Sequence, residues 1–147
     1  MKTSTIGLAS FVVLLVAGIA SILMFARGLH VDGPAVHRTL FEPYATALRA
    51  SEWEHAWQTF TTESYRSRHP LAAYRAAYDE RARAHRGLAS ITCPHLSGVR
   101  RSRDVLIAAT CHVRFGDNTE TSVRFSVVGS GASLAIDGAT GGASDVW

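Results

Sequence analysis

Between Lys2 and Arg27 the chain carries twenty-two consecutive uncharged residues, Thr5 to Ala26, reading TIGLASFVVLLVAGIASILMFA. As a helix rising ~1.5 Å per residue the run would measure roughly 33 Å, against a hydrocarbon core of about 30 Å. A helix satisfies its own backbone polar groups, which is what lipid demands. The run predicts a transmembrane helix over 5–26 behind a short cap at 1–4, and with it a single-pass, membrane-anchored protein. The rival reading is a secretory signal peptide, with Lys2 as its basic start and Gly18-Ile19-Ala20 as a cleavage site before Ser21. The apolar run continues past that site through Phe25, which favours the anchor. Charge does not choose a side, because Lys2 is balanced across the span by Arg27 and Arg38.

The chain beyond Ala26 is long enough for one domain with a single core. Residues 27–37 contain a Gly33-Pro34 pair and no periodicity, and read as a linker. Thr39-Leu40-Phe41-Glu42 fits a capping box, after which Leu40, Phe41, Tyr44 and Leu48 form an apolar helical face. Ser51-Glu52-Trp53-Glu54 is a second capping box, opening a helix that buries Trp53, Ala56, Trp57 and Phe60. Pro70 suits the start of a third helix carrying Leu71, Tyr74 and Tyr78, with Gly87 as its left-handed cap.

The period then changes to two. Val105, Ile107, Ala109, Cys111, Val113 and Phe115 alternate with Leu106, Ala108, Thr110, His112 and Arg114. Turns at 116–118 and 129–131 separate further strands through Val123–Val127 and Leu134–Ile136, and Leu88 to His95 supplies another, placed at an edge by Pro94. The expected fold class is α+β: three helices on a curved, antiparallel four-stranded sheet over 38–137, with a flexible tail at 138–147.

That order, with Tyr44-Ala-Thr-Ala-Leu48-Arg-Ala-Ser-Glu-Trp53-Glu-His-Ala56-Trp57, resembles the nuclear-transport-factor-2-like (cystatin-like, SnoaL-like) superfamily of cone-shaped domains over about Arg38 to Asp137. The resemblance implies a helix-lined cone and, with the apolar span, a membrane-anchored bacterial envelope version. Such folds host many roles, so function rests on individual residues.

A three-residue hairpin loop at Arg101-Ser102-Arg103 would set Cys93 opposite Cys111, on inward-facing positions of adjacent strands. The pair forms a disulfide or remains as two buried thiols. A metal site combining Cys93, His95, Cys111 and His112 is not expected, because alternation sends His112 to the face opposite Cys111. Tyr44, Trp57, Tyr74 and Tyr78 are candidates to line a cone cavity, with His95 at its rim. No carboxylate falls inside: Asp104 and Asp117 sit in turns, Asp137 ends a strand, and Glu120 faces Arg114 on the outer surface. Neither a catalytic residue nor a cofactor is expected.

Basic residues are fourteen arginines and one lysine, within a net charge of +3. Between Glu63 and Arg103, nine arginines face three acids. Arg75, Arg81, Arg83, Arg86, Arg100, Arg101 and Arg103 are candidates for an anionic surface, either lipid headgroups or an acidic protein. Nucleic acid is not expected, since these residues are not interleaved with exposed aromatics. The leading expectation is a non-catalytic binding or scaffolding module on the inner membrane. Its domain would lie outside the cytoplasm, with membrane lipid, an unidentified envelope protein and a second copy as candidate partners. The alternatives are a small apolar-ligand carrier or isomerase-like enzyme using the cavity, and an anionic-lipid surface module.

Overall fold

The computed structural model describes residues 31–101, 104–130 and 133–141. Helix α1 (Gly33–Val36) passes through a π-helical turn (His37–Phe41) into α2 (Glu42–Arg49). Proline explains the turn. In a regular helix the ring of Pro43 would collide with the carbonyl of Thr39, and its missing N–H would cost a bond. Here the Glu42 N–H instead reaches back five residues to the His37 carbonyl, which widens the helix at that point. Thr39 and Glu42 therefore lie inside a helix already under way and form no capping box. The start is capped by Asp32, whose Oδ1 accepts the Ala35 N–H at 3.0 Å.

Ser51, at φ 60°, reverses the chain into α3 (Trp53–Phe60). No side chain caps α3, so the second expected capping box is absent although the helix begins where it was expected. A helix not expected from sequence, α4 (Glu63–Arg68), starts at Thr62, whose hydroxyl accepts the Tyr65 N–H. Helix α5 (Leu71–His85) comes after Pro70 and ends on two left-handed residues, Arg86 and Gly87.

The rest of the described chain is four strands: β1 (Leu88–Arg101), β2 (Asp104–Phe115), β3 (Glu120–Ser130) and β4 (Ser133–Thr140). They form an antiparallel meander in the order β1-β2-β3-β4. One face is sealed by the helices. Ile91, Ile107, Ala109, Cys111, Val113, Phe115, Val123, Phe125, Val127 and Ile136 are buried there beneath Leu40, Phe41, Tyr44, Leu48 and the tyrosines of α4 and α5. Phe41 and Phe125 meet across this interface with ring centroids 5.4 Å apart. The β4 edge is covered where the Thr62 N–H donates to the Ile136 carbonyl at 2.9 Å and the Thr62 hydroxyl to Asp137 Oδ1 at 2.6 Å. The first half of β1 is guarded by Arg49, which donates to the Ala89 carbonyl, and by His37 against the Ile91 carbonyl.

Several expectations from the sequence do not hold. The proposed span at 5–26 lies outside the described residues. Among the described residues no helix is long and apolar enough to cross a membrane. The longest, α5, has 15 residues and carries charges throughout; at ~1.5 Å per residue it would reach only about 22 Å. The fold class therefore stands as helices on a four-stranded antiparallel sheet, without the transmembrane helix. The membrane-anchored scaffold, its lipid partner and the inner-membrane location have no supporting element among the described residues. The cone cavity is also absent there: the space between helices and sheet is filled by Tyr44, Tyr65 and Tyr74, all 0 % exposed. This removes the reading as a carrier or isomerase that uses such a cavity.

Candidate functional site

The aromatic residues expected to line a cavity instead close it. Tyr44 on α2 is a hub: the Tyr74 hydroxyl donates to its oxygen at 3.0 Å, and the Tyr78 hydroxyl lies 3.3 Å away. Burial pushes the hydroxyls of Tyr44, Tyr74 and Tyr78 well above the ordinary tyrosine range, and the neighbouring phenols raise Tyr44 and Tyr74 further. These are neutral groups that pair with one another. Trp57 is half-buried and works as a brace. Its indole N–H donates to the His69 carbonyl at 2.8 Å, while the Arg66 guanidinium sits 5.7 Å from its ring centre.

His95 is on the opposite side of the sheet from the expected rim. Thr92 pairs with His112, but His95 pairs with Thr110, so Cys93 and Pro94 together oppose Cys111. This one-residue bulge reverses the facing of everything after it. Cys93 and Cys111 are joined by a disulfide across the same point. Pro94, with no N–H to give, occupies the position where the ladder is already broken.

The described arginines among the surface candidates take several different partners. Arg75 pairs with Asp79 at 3.6 Å, and Arg83 Nε donates to the Asp79 carbonyl at 3.1 Å. Arg100 and Arg101 lie on β1, and Arg103 lies outside the described residues. Arg81 turns inward, its guanidinium 5.6 Å from the centre of the Tyr78 ring, where loss of solvent lowers its pKa. Glu120, expected against Arg114, has Arg114 as its strand partner but directs its carboxylate to His112 Nδ1 at 3.1 Å.

What the fold does assemble is a cleft of about 200 Å³ between the α2–α3 turn, the end of α5 and the start of the sheet. Arg49, Arg81 and Arg86 line it, with Leu48, Trp53, Tyr78 and Phe115 as its apolar walls. Trp53 stacks on Tyr78 at 5.6 Å and 26° between planes. Arg49 is held by its bonds to the Ala89 carbonyl and to the Thr46 hydroxyl, each 3.0 Å. Arg86 is set by the left-handed end of α5, which packs on the β2–β3 turn. There the Gly116 N–H donates to the Gly87 carbonyl at 2.9 Å, and His85 Nδ1 lies 3.0 Å from Asp117 Oδ2. A side chain at Gly116 would run into the Arg86 carbonyl. The His85 bond holds the Asp117 carboxyl at about 2, below its usual value.

No carboxylate is among the residues lining the cleft. Three guanidinium groups beside two stacked rings suit an anion with a short apolar body, since guanidinium donors match carboxylate and phosphate oxygens in pairs. Arg81 and Arg86 were among the sequence candidates. Arg49 was missed because its signal is tertiary, resting on a β1 carbonyl forty residues away. No family model and no curated protein matches this chain, so the expected membership of the nuclear-transport-factor-2-like superfamily is not supported.

Proposed function

We propose that this domain binds a small anionic ligand, a carboxylate or phosphate attached to a short apolar or aromatic body, in the cleft formed by Arg49, Arg81 and Arg86. One observation carries the reading: three arginines from α2 and the end of α5 line one cleft with the Trp53–Tyr78 stack, and no acid is among its lining residues. The anion lies against the guanidinium donors and its body against Trp53. Partial burial of Arg81 strengthens the attraction by excluding water from one side.

Titration with benzoate, followed by Trp fluorescence and calorimetry, tests this directly. Benzoate is expected to bind and benzyl alcohol, of similar shape without charge, to bind far more weakly. Arg86→Asn keeps a residue that tolerates the left-handed backbone. Loss of one charge-assisted pair worth about 1.5–3 kcal/mol lowers affinity by roughly 10- to 100-fold. Equal binding of the acid and the alcohol, or an Arg86→Asn protein that binds benzoate as the parent does, overturns the reading.

A further inference from the structure

The second site lies on the face of the sheet that the helices leave open. Register sets His95 opposite Thr110, Thr110 opposite Arg124 and Arg124 opposite Thr140, so one row of polar side chains crosses all four strands. The adjacent row is small: Ser97 opposite Ala108, Ala108 opposite Ser126, and Ser126 opposite Gly138. Small residues beside long ones make a groove. It measures about 350 Å³, and His95, Ser97, Thr110 and Arg124 supply its polar walls over Pro94 and Ala108. No carboxylate lines it. The pairing of His112 with Glu120 on this face lies beyond the polar row and leaves Arg124 uninvolved.

We propose that this groove binds a phosphate monoester. Arg124 and His95 approach the phosphate from two strands on either side of Thr110, whose hydroxyl donates between them, and the Ser97 hydroxyl donates from the adjacent row. Four donor groups from three strands match the three charged oxygens of a phosphate better than the two of a carboxylate. The volume exceeds that of a bare phosphate and is of the size that holds a small organic ligand, which leaves space for the esterified alcohol. The bulge at Cys93-Pro94 makes the site. Without the extra residue, His95 would face the core. A bulge that re-aims one side chain beside a groove is a common device at functional sites. This site shares no lining residue with the Arg49–Arg81–Arg86 cleft and does not depend on it.

The test uses the full chain and glucose 6-phosphate, with glucose and inorganic phosphate as comparisons, followed in proton–nitrogen correlation spectra. Glucose 6-phosphate is expected to shift the amides of His95, Ser97, Thr110 and Arg124, glucose to shift none, and inorganic phosphate to shift the same set with lower affinity. Arg124→Gln and His95→Gln, both at exposed positions, should each weaken binding about tenfold. Arg86→Asn should leave it unchanged. The proposal falls if the shifts map to the Arg86 cleft, if neither Arg124→Gln nor His95→Gln changes the affinity, or if glucose binds as well as its phosphate.

Discussion

The two faces of β2 are made by one stretch of chain yet meet opposite demands. Ile107, Ala109, Cys111, Val113 and Phe115 point to the helices and are at most 6 % exposed. The outward set includes Leu106, at 45 % exposed, and Thr110, His112 and Arg114. Inward residues are chosen by volume, because close packing leaves no room for alternatives. Outward residues are free of that constraint, so donors can be spaced for a ligand. The difference teaches where recognition can reside in a domain this small: on the rim and the open face, outside the aromatic centre.

The largest effect that would sharpen this contrast comes from Phe125 and its neighbour. Phe125→Ala is expected to cost about 3–5 kcal/mol, by removing a buried ring packed on Phe41. Arg124→Gln, one residue away on the open face, should stay within about 0.5 kcal/mol. Urea denaturation of both variants gives the comparison, and similar losses would break it.

Next is the staple between β1 and β2. Replacing Cys93 and Cys111 together by Ala should lower stability by about 3 kcal/mol, as for other short closed loops. Reductant should lower the melting temperature of the parent and leave that of the double variant unchanged.

The tyrosine hub ranks third. Tyr44→Phe removes the oxygen that Tyr74 and Tyr78 share and should cost about 1–3 kcal/mol. The same hub sets an alkaline limit. Because the folded-state pKa values are raised, these groups keep their protons in the native protein after the unfolded chain has begun to lose them. Stability is thus complete below about pH 10 and falls above it, by up to about 1.4 kcal/mol per pH unit for each tyrosine. Tyrosinate absorbance should stay low for these residues until the protein unfolds. Early ionisation without unfolding would contradict their burial.

The smallest effect is at the rim. Asp117 has a depressed pKa, so its contribution is present above about pH 4 and is lost as pH falls toward 2. Asp117→Asn should flatten that part of the melting-temperature profile by bringing the neutral-pH value slightly down toward the acid one. An identical acid profile in the variant would show that the His85 contact has no energetic role.

Much of the architecture was readable in one dimension. Period-two alternation located β2 and its buried set, and the apolar spacing of Trp53, Ala56 and Phe60 located α3. Sequence failed where two effects cancelled. A three-residue hairpin loop was expected to place Cys93 against Cys111. The structure has only residues 102 and 103 between β1 and β2, and the bulge at Cys93-Pro94 restores the same juxtaposition. The cancellation preserves the cysteine pair but reverses His95. The capping box at Thr39 failed for a related reason, since a local motif cannot reveal that a helix has already begun six residues earlier.

The sequence by itself determined which residues are apolar at which period, and so the helix-then-sheet order and the faces of β2 and β3 that enter the core. These follow from local chemistry and from burial, which acts on every residue in the same direction. Only the tertiary structure decided that the tyrosines fill the interior, that Arg49 joins Arg81 and Arg86, and that His95 stands beside Thr110 and Arg124. Those outcomes depend on register and on contacts between residues far apart in the chain, where a single extra residue in a strand changes which side chains meet.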